Sequence, residues 1–305
     1  MGPGHSPRHQ GREALPDRRG GPARGRLGSG AVLSQAADAD AARGGTDAAS
    51  PLAPLPYPVD PWLHFLPVPE LRALATEGVA DTACAVAAAF AERAVVCVNG
   101  ASGVGKTFAV RAVLAAHPPG RACLLRLRSR PDPADLRCAF QVALGCPQTP
   151  GGGTGTADEL ILAALSARPR IVVADEAHQL SPAALEYLRS LYDAAGGVCM
   201  VLIAGQDGEP VLRGTRMLAS RCTAWTHIDA LAPAQLPGAV RALHPLWHAA
   251  PDGLLRRTDA RSAHGRLRAW AALTHHAHRM LRTRGVLPVE ELVEHLTPRL
   301  GPVPR

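Results

Sequence analysis

Eight consecutive residues carry the clearest chemistry in the chain: Gly100, Ala101, Ser102, Gly103, Val104, Gly105, Lys106 and Thr107. They fit the pattern G-x-x-x-x-G-K-[ST] in full. Glycines let backbone N–H groups curl around phosphate oxygens, and a helix starting at the loop's end adds its partial positive charge. Lys106 then reaches the β- and γ-phosphates of a nucleotide, and Thr107 ligates Mg²⁺. The chain has 33 basic residues, and Lys106 is its only lysine. A composition that uses arginine everywhere else marks this position as one where arginine will not do.

A second group follows. The run Arg170-Ile171-Val172-Val173-Ala174 is apolar after its arginine and ends in Asp175 and Glu176, 69 residues after Lys106. Neighbouring side chains at a strand end point different ways. Asp175 can therefore hold Mg²⁺ through water while Glu176 orients and activates an attacking water. Three more residues are candidates for the same reaction. Gln206 follows the next strand and can contact the γ-phosphate or the water. Arg221 precedes the last strand and can act on a neighbouring subunit's nucleotide as an arginine finger. Arg268 stands at the start of a late helix, where it can reach the nucleotide from a lid. Asp-Glu-Ala-His (175–178) also occurs in a large helicase superfamily. Those enzymes need two tandem nucleotide-binding lobes, and only about 200 residues follow Lys106, so that reading is rejected. His275, His276 and His278 lack the i, i+4 spacing of helical metal sites and read as surface histidines.

These residues require a sheet to hold them. Short apolar runs at 94–98, 122–127, 171–175, 198–204 and 224–228 read as strands. Helical patterns separate them, at about 70–91, 106–117, 133–144, 157–167, 182–194 and 209–219. Strands alternating with helices predict a parallel sheet covered on both faces, an α/β fold. From about 231 the strands stop, and helices form an appended lid. Its last long helix, 266–284, places Leu267, Trp270, Ala271, Thr274, Ala277 and Leu281 on one face. The predicted organisation is a basic tail over 1–50, a Pro-rich strap over 51–69, the nucleotide-binding core over 70–230 and the helical lid over 231–305. The tail has no apolar periodicity and reads as disordered. The strap reads as an extended segment that packs on its own domain or docks on a partner.

At 47% hydrophobic, the 305 residues can bury a sizeable core, and at 4% aromatic that core must be mostly Ala, Leu and Val. No apolar run is long enough for a membrane span, and the N-terminus has no secretory h-region. The expected compartment is the cytoplasm, with no membrane partner. Seven cysteines with no C-x-x-C spacing read as small buried hydrophobes rather than a metal or redox set. Charge is uneven. From Ala230 onward there are eleven arginines against five acids, whereas 31–229 carries sixteen basic and nineteen acidic residues. Arg256, Arg257, Arg261, Arg266, Arg268, Arg279, Arg282 and Arg284 have only Asp259 among them, a surface suited to phosphate backbones.

A glycine loop, an Asp-Glu strand end, a polar strand end, an arginine before the last strand and a lid with Gly265-Arg266-Leu267-Arg268 resemble, in this order, the AAA+ ATPases. Within them, VVADEAHQLSPAALEYLRSLYD and LIAGQ…LASR look like the bacterial transposition helper ATPases of the TniB, Mu B and TnsC group and their ExeA-like relatives. The likeness covers about Leu71 to Leu296. It implies a P-loop fold with a helical lid, ATP and Mg²⁺ as cofactors, and a homo-oligomer assembled on double-stranded DNA that recruits or stimulates a transposase. It also gives Arg221 the trans-acting finger role and Arg268 the lid-sensor role. Two alternatives remain: a nucleotide switch that docks protein partners through the strap, and a helicase loader that prefers single strands.

Overall fold

The structure, a computed structural model, describes residues 68–115, 120–147, 154–285 and 289–296. The tail and all of the strap but its last two residues lie outside them, as do the last two residues of the helix predicted over 106–117 and residues 286–288 and 297–305 of the predicted lid.

Five strands form one sheet: β1 (Val95–Gly100), β2 (Ala122–Leu125), β3 (Arg170–Ala174), β4 (Val198–Ile203) and β5 (Cys222–Ile228). Their order is β2-β3-β4-β1-β5, and every pair is parallel. The three central strands are buried throughout, which is why they read as unbroken apolar runs rather than alternating ones. Side-chain alternation divides them between two cores. Val95, Cys97, Val172 and Met200 face one set of helices, and Val96, Val98, Ile171 and Val201 face the other. In register, Val98 stands beside Ile203 and Ala174 beside Leu202. The C-terminal ends of β1, β3 and β4 therefore lie side by side. After β1 the chain crosses two strands to reach β2, and this reversal opens a crevice at that edge.

One helix precedes the first strand, α1 (Glu77–Glu92); those between strands are α2 (Lys106–Ala115), α3 (Pro133–Leu144), α4 (Thr154–Ser166), α5 (Pro182–Ala195), α6 (Gly208–Gly214) and α7 (Arg216–Ala219). Local chemistry sets their ends. Asp132 and Asp135 form a reciprocal capping box ahead of Pro133, and the Ser181 hydroxyl accepts the Ala184 N–H ahead of Pro182. Two expectations shift. The first helix begins at Glu77, not near Glu70, because Thr76 caps it and the preceding residues are used elsewhere. The helix expected over 209–219 is broken at Thr215, whose N–H and hydroxyl donate back to the Leu212 and Val211 carbonyls of the first piece.

Beyond β5 come α8 (Leu236–Leu243), α9 (Asp252–Thr258), α10 (Leu267–Arg284) and α11 (Val289–Leu296), with a one-turn π segment at Asp259–Ala263. They enclose a third core centred on Trp247 and Trp270, both fully buried and packed edge to face at 5.4 Å. The indole of Trp247 donates to Thr274 Oγ1 at 2.9 Å, and that hydroxyl donates to the Trp270 carbonyl at 2.7 Å. The buried face of α10 is Trp270, Ala271, Leu273, Thr274, Ala277 and Met280, with Leu267 and Leu281 packed at its margin. The segment before α1 joins this lid. Leu74 is part of its core, and Arg72 N donates to the Leu243 carbonyl at 2.9 Å. Among the described residues no helix is long and apolar enough to cross a membrane.

Candidate nucleotide site

The glycine loop joins β1 to α2 at the crevice. Lys106 opens α2 and is buried, and its Nζ donates to the carbonyls of Gly100 and Ala101, each at 2.8 Å. Burial pushes its ammonium below the usual lysine range, while the nearby Glu176 and Asp175 carboxylates act the other way. Val104 anchors the loop in the sheet's second core. Thr107 Oγ1 donates to Asp175 Oδ2 at 2.8 Å, so the hydroxyl and the carboxylate that suit Mg²⁺ already meet. The other carboxylate oxygen of Asp175 accepts the Glu176 N–H at 2.9 Å. Glu176 itself sits in the left-handed region, at φ 53°, with its side chain half exposed.

The lid closes the other side. Arg268 N donates to the Gly103 carbonyl at 3.0 Å, and its Nη1 lies 3.5 Å from Ser102 Oγ. A Cβ on Gly103, at φ 85°, would stand 3.1 Å from Arg268 Cβ, so the loop and the lid meet closely at this glycine. Asp259 sets this approach. Its carboxylate accepts the Gly265 N–H at 2.8 and 3.0 Å and the Trp270 indole N–H at 2.9 Å. The resulting cavity, about 320 Å³, is lined by Ser102, Gly103, Gly105, Lys106, Thr107, Asp175, Glu176 and Arg268, with Arg72 and Leu74 from the segment before α1.

The structure thus brings the loop, Asp175, Glu176 and Arg268 to one cavity. It does not bring Gln206 or Arg221 there. Gln206 is exposed beyond β4 and is not part of the cavity lining. Arg221 makes a two-pronged pair with Asp193 at 2.5 and 2.6 Å and also donates to the Met217 carbonyl. Among the described residues no cluster of His, Cys, Asp and Glu suits a metal on its own. Cys97, Cys123 and Cys199 are buried; burial pushes the Cys123 and Cys199 thiols up to about 12. Cys97 lies sulfur to sulfur with Cys222 at 3.2 Å. His275 and His276 pack edge to face, whereas His278 approaches the buried His244 at 3.1 Å. Sequence reading missed Arg72, Leu74 and Asp259. It also missed Asn99, buried just before the loop, whose amide has no hydrogen-bond partner among the described residues.

A five-stranded parallel sheet in this order, with a phosphate loop after β1, an acid pair after β3 and a helical lid on the loop, is the fold of the P-loop AAA+ ATPases. Residues 91–212 match a family model described as an AAA domain. Among solved structures, the chain is similar to the ORC2 protein of Aeropyrum pernix in ADPNP–ADP complexes. That likeness has a TM-score of 0.59 and 16% identity over 78% of this chain and 70% of the other. It is also similar to Cdc6p from Pyrobaculum aerophilum, with a TM-score of 0.58 and 15% identity over 74% and 67%. The RuvB Holliday junction branch migration motor of Thermotoga maritima aligns with a TM-score of 0.50 and 16% identity over 74% and 70%. None of the curated proteins compared with the chain matches it. At these identities the structures bear on the fold.

Proposed function

We propose that the chain is an ATP-hydrolysing AAA+ protein that assembles as a homo-oligomer on double-stranded DNA and regulates a DNA transaction, most specifically transposition target selection or transposase activation. One observation carries the nucleotide part: Lys106, the Thr107–Asp175 pair, Glu176 and the lid's Arg268 converge on one cavity. The residues fit Mg²⁺ and ATP. Lys106 and the loop amides bind phosphate oxygens, and the ammonium exchanges its two carbonyl bonds for charged ones. Thr107 and Asp175 hold the metal, which when bound neutralises charge on the phosphates. Glu176 orients a water and takes its proton. Arg268 ties lid position to the phosphate loop. Arg221 is assigned to a neighbouring subunit's nucleotide and Gln206 to the γ-phosphate side; both rest on the sequence likeness.

The DNA part is supported by charge. Arg256, Arg257, Arg261, Arg279, Arg282 and Arg284 are exposed on the lid. Of these, only Arg256 has a carboxylate within ion-pair range among the described residues, Asp252 at 3.8 Å. The transposition role is supported by the likeness of the 172–193 and 202–221 stretches to the helper ATPases. The test is fluorescence anisotropy of a labelled duplex with the Glu176→Gln protein, titrated with ATP, ADP or no nucleotide. Tight binding with ATP alone is expected. Replacing Arg256 and Arg257 by Ala should lower the steepness of the log–log salt dependence by about 2, at roughly 0.9 per lost phosphate contact. No duplex binding in any state would overturn the DNA reading and favour a protein-docking switch.

A further inference from the structure

Glu176 is a base on an awkward perch. Its backbone is left-handed, a conformation that strains a non-glycine residue, and its side chain is half exposed. A carboxylate so placed needs a neighbour to fix its direction. Two residues on, the short 3₁₀ turn at Ala177–Gln179 returns His178 towards it. The Nε2 of His178 stands 3.6 Å from Glu176 Oε2. On the other side of the ring, Nδ1 accepts the Gly205 N–H at 3.3 Å. An Nδ1 that accepts leaves the neutral ring's proton on Nε2, so the N–H faces Glu176. At 3.6 Å the contact is wider than a hydrogen bond, as catalytic pairs commonly are before substrate tightens them.

The ring's seat is shaped for it. A Cβ on Gly208, in the first turn of α6, would lie 2.7 Å from His178 Cγ and 2.8 Å from its Cβ. A Cβ on Gly205 would lie 3.3 Å from Cε1. Two glycines three residues apart therefore leave room for one imidazole against the end of β4. Gly205 directly precedes Gln206, the polar residue assigned to the γ-phosphate side. One ring thus touches the base after β3 and the backbone after β4.

We propose that His178 is a positioning residue for Glu176: it aims the carboxylate and transmits to it the position of the β4 end. The proposal rests on the ATPase reading and names a part of that site which the sequence motif alone leaves without a role. It involves no proton transfer by His178.

Two substitutions separate the ring's two edges. His178→Gln keeps an N–H donor near Nε2, and His178→Asn keeps an acceptor near Nδ1 for the Gly205 N–H. The expected result is that Gln retains kcat within about threefold. Asn should keep the wild-type unfolding midpoint and the KM for ATP but lose about tenfold to a hundredfold in kcat, the scale of a misaimed catalytic group. Equal kcat in both variants and wild type would overturn the proposal. So would a loss of kcat that tracks a fall in unfolding midpoint, because a ring that only fills space predicts that result. A second readout does not depend on turnover. In ¹⁵N–¹H spectra of the imidazoles, the resonance missing from His178→Gln should show the Nε2–H tautomer and move on Glu176→Ala. If wild-type protein fails to hydrolyse ATP, the ATPase reading falls. The ring spectrum then decides the contact by itself: an unmoved resonance or the Nδ1–H tautomer ends the proposal.

Discussion

Replacing Asp259 by Ala should unseat the lid from the phosphate loop. Trp270 is fully buried, and its indole N–H has Asp259 Oδ1 as acceptor at 2.9 Å. A buried donor left without a partner costs about 1–3 kcal/mol. The Gly265 N–H, held by both carboxylate oxygens, loses its acceptor in the same change. Taking a middle value for each, the loss is about 3–4 kcal/mol. With a urea dependence of about 2–3 kcal/mol per molar, the midpoint should fall by more than about 1 M. The assay is urea unfolding followed by tryptophan fluorescence, to which the Trp247–Trp270 pair in the lid core contributes. Asp259→Asn keeps one acceptor oxygen and should lose about half as much. The turn that Asp259 holds leads directly into the Arg268–Gly103 contact, so ATP affinity of the Ala variant should fall as well. An unfolding free energy unchanged to within about 0.5 kcal/mol, the ordinary range for surface changes, would refute the idea that this carboxylate organises the lid.

Three other outcomes follow from the same structure. Lys106→Ala should weaken ATP binding about a hundredfold in calorimetry, because a charged hydrogen-bonding partner worth about 3 kcal/mol is lost. Gly265→Ala should destabilise the lid by roughly the 1–3 kcal/mol of a strained backbone or more, since φ is 72° and a Cβ would meet the Leu231 carbonyl oxygen at 2.6 Å; an unchanged midpoint would contradict it. The Arg137 guanidinium, with further help from the Tyr187 hydroxyl, holds the Asp158 carboxyl below the usual range against the opposing effect of burial. Its stabilising effect is therefore present above the unfolded carboxylate pKa, about 4, and is lost as pH falls through the lower folded value. Asp158→Asn should lower the urea midpoint at pH 7, and the gap to wild type should narrow as pH falls below the unfolded carboxylate range; a gap independent of pH would speak against the pairing.

How much of this was written in the sequence depends on whether a feature is local. The loop 100–107 is legible because its chemistry is backbone chemistry: glycines and a helix start placed by adjacent residues. Strands β1, β3 and β4 are legible because burial on both faces demands unbroken apolar runs. Helix α3 has its expected bounds because Asp132, Pro133 and Asp135 cap it within one turn. The meeting of Thr107 with Asp175 is different. It depends on β3 and β1 lying on either side of β4, an order no local pattern encodes.

Other features belong wholly to the tertiary structure. The segment before α1 reads as helical by composition, yet Leu74 is drawn into the lid core and Arg72 onto the Leu243 carbonyl. Low aromatic content predicts an aliphatic core, and the sheet largely has one, while the lid instead turns on two tryptophans whose polar edges are met by Thr274 and Asp259. Asp259 reads in sequence as a lone acid among arginines. Only the fold shows that it faces inward to Gly265 and Trp270. His178 reads as the last letter of a motif, and only the approach of Gly205 and Gly208 gives its ring two neighbours. Sequence by itself determined which side chains can do chemistry, because that follows from residue type and short spacing. The tertiary structure decided which of them meet, because strand order joins Thr107 to Asp175 and lid docking joins Gly103 to Arg268 through packing that no window of sequence contains.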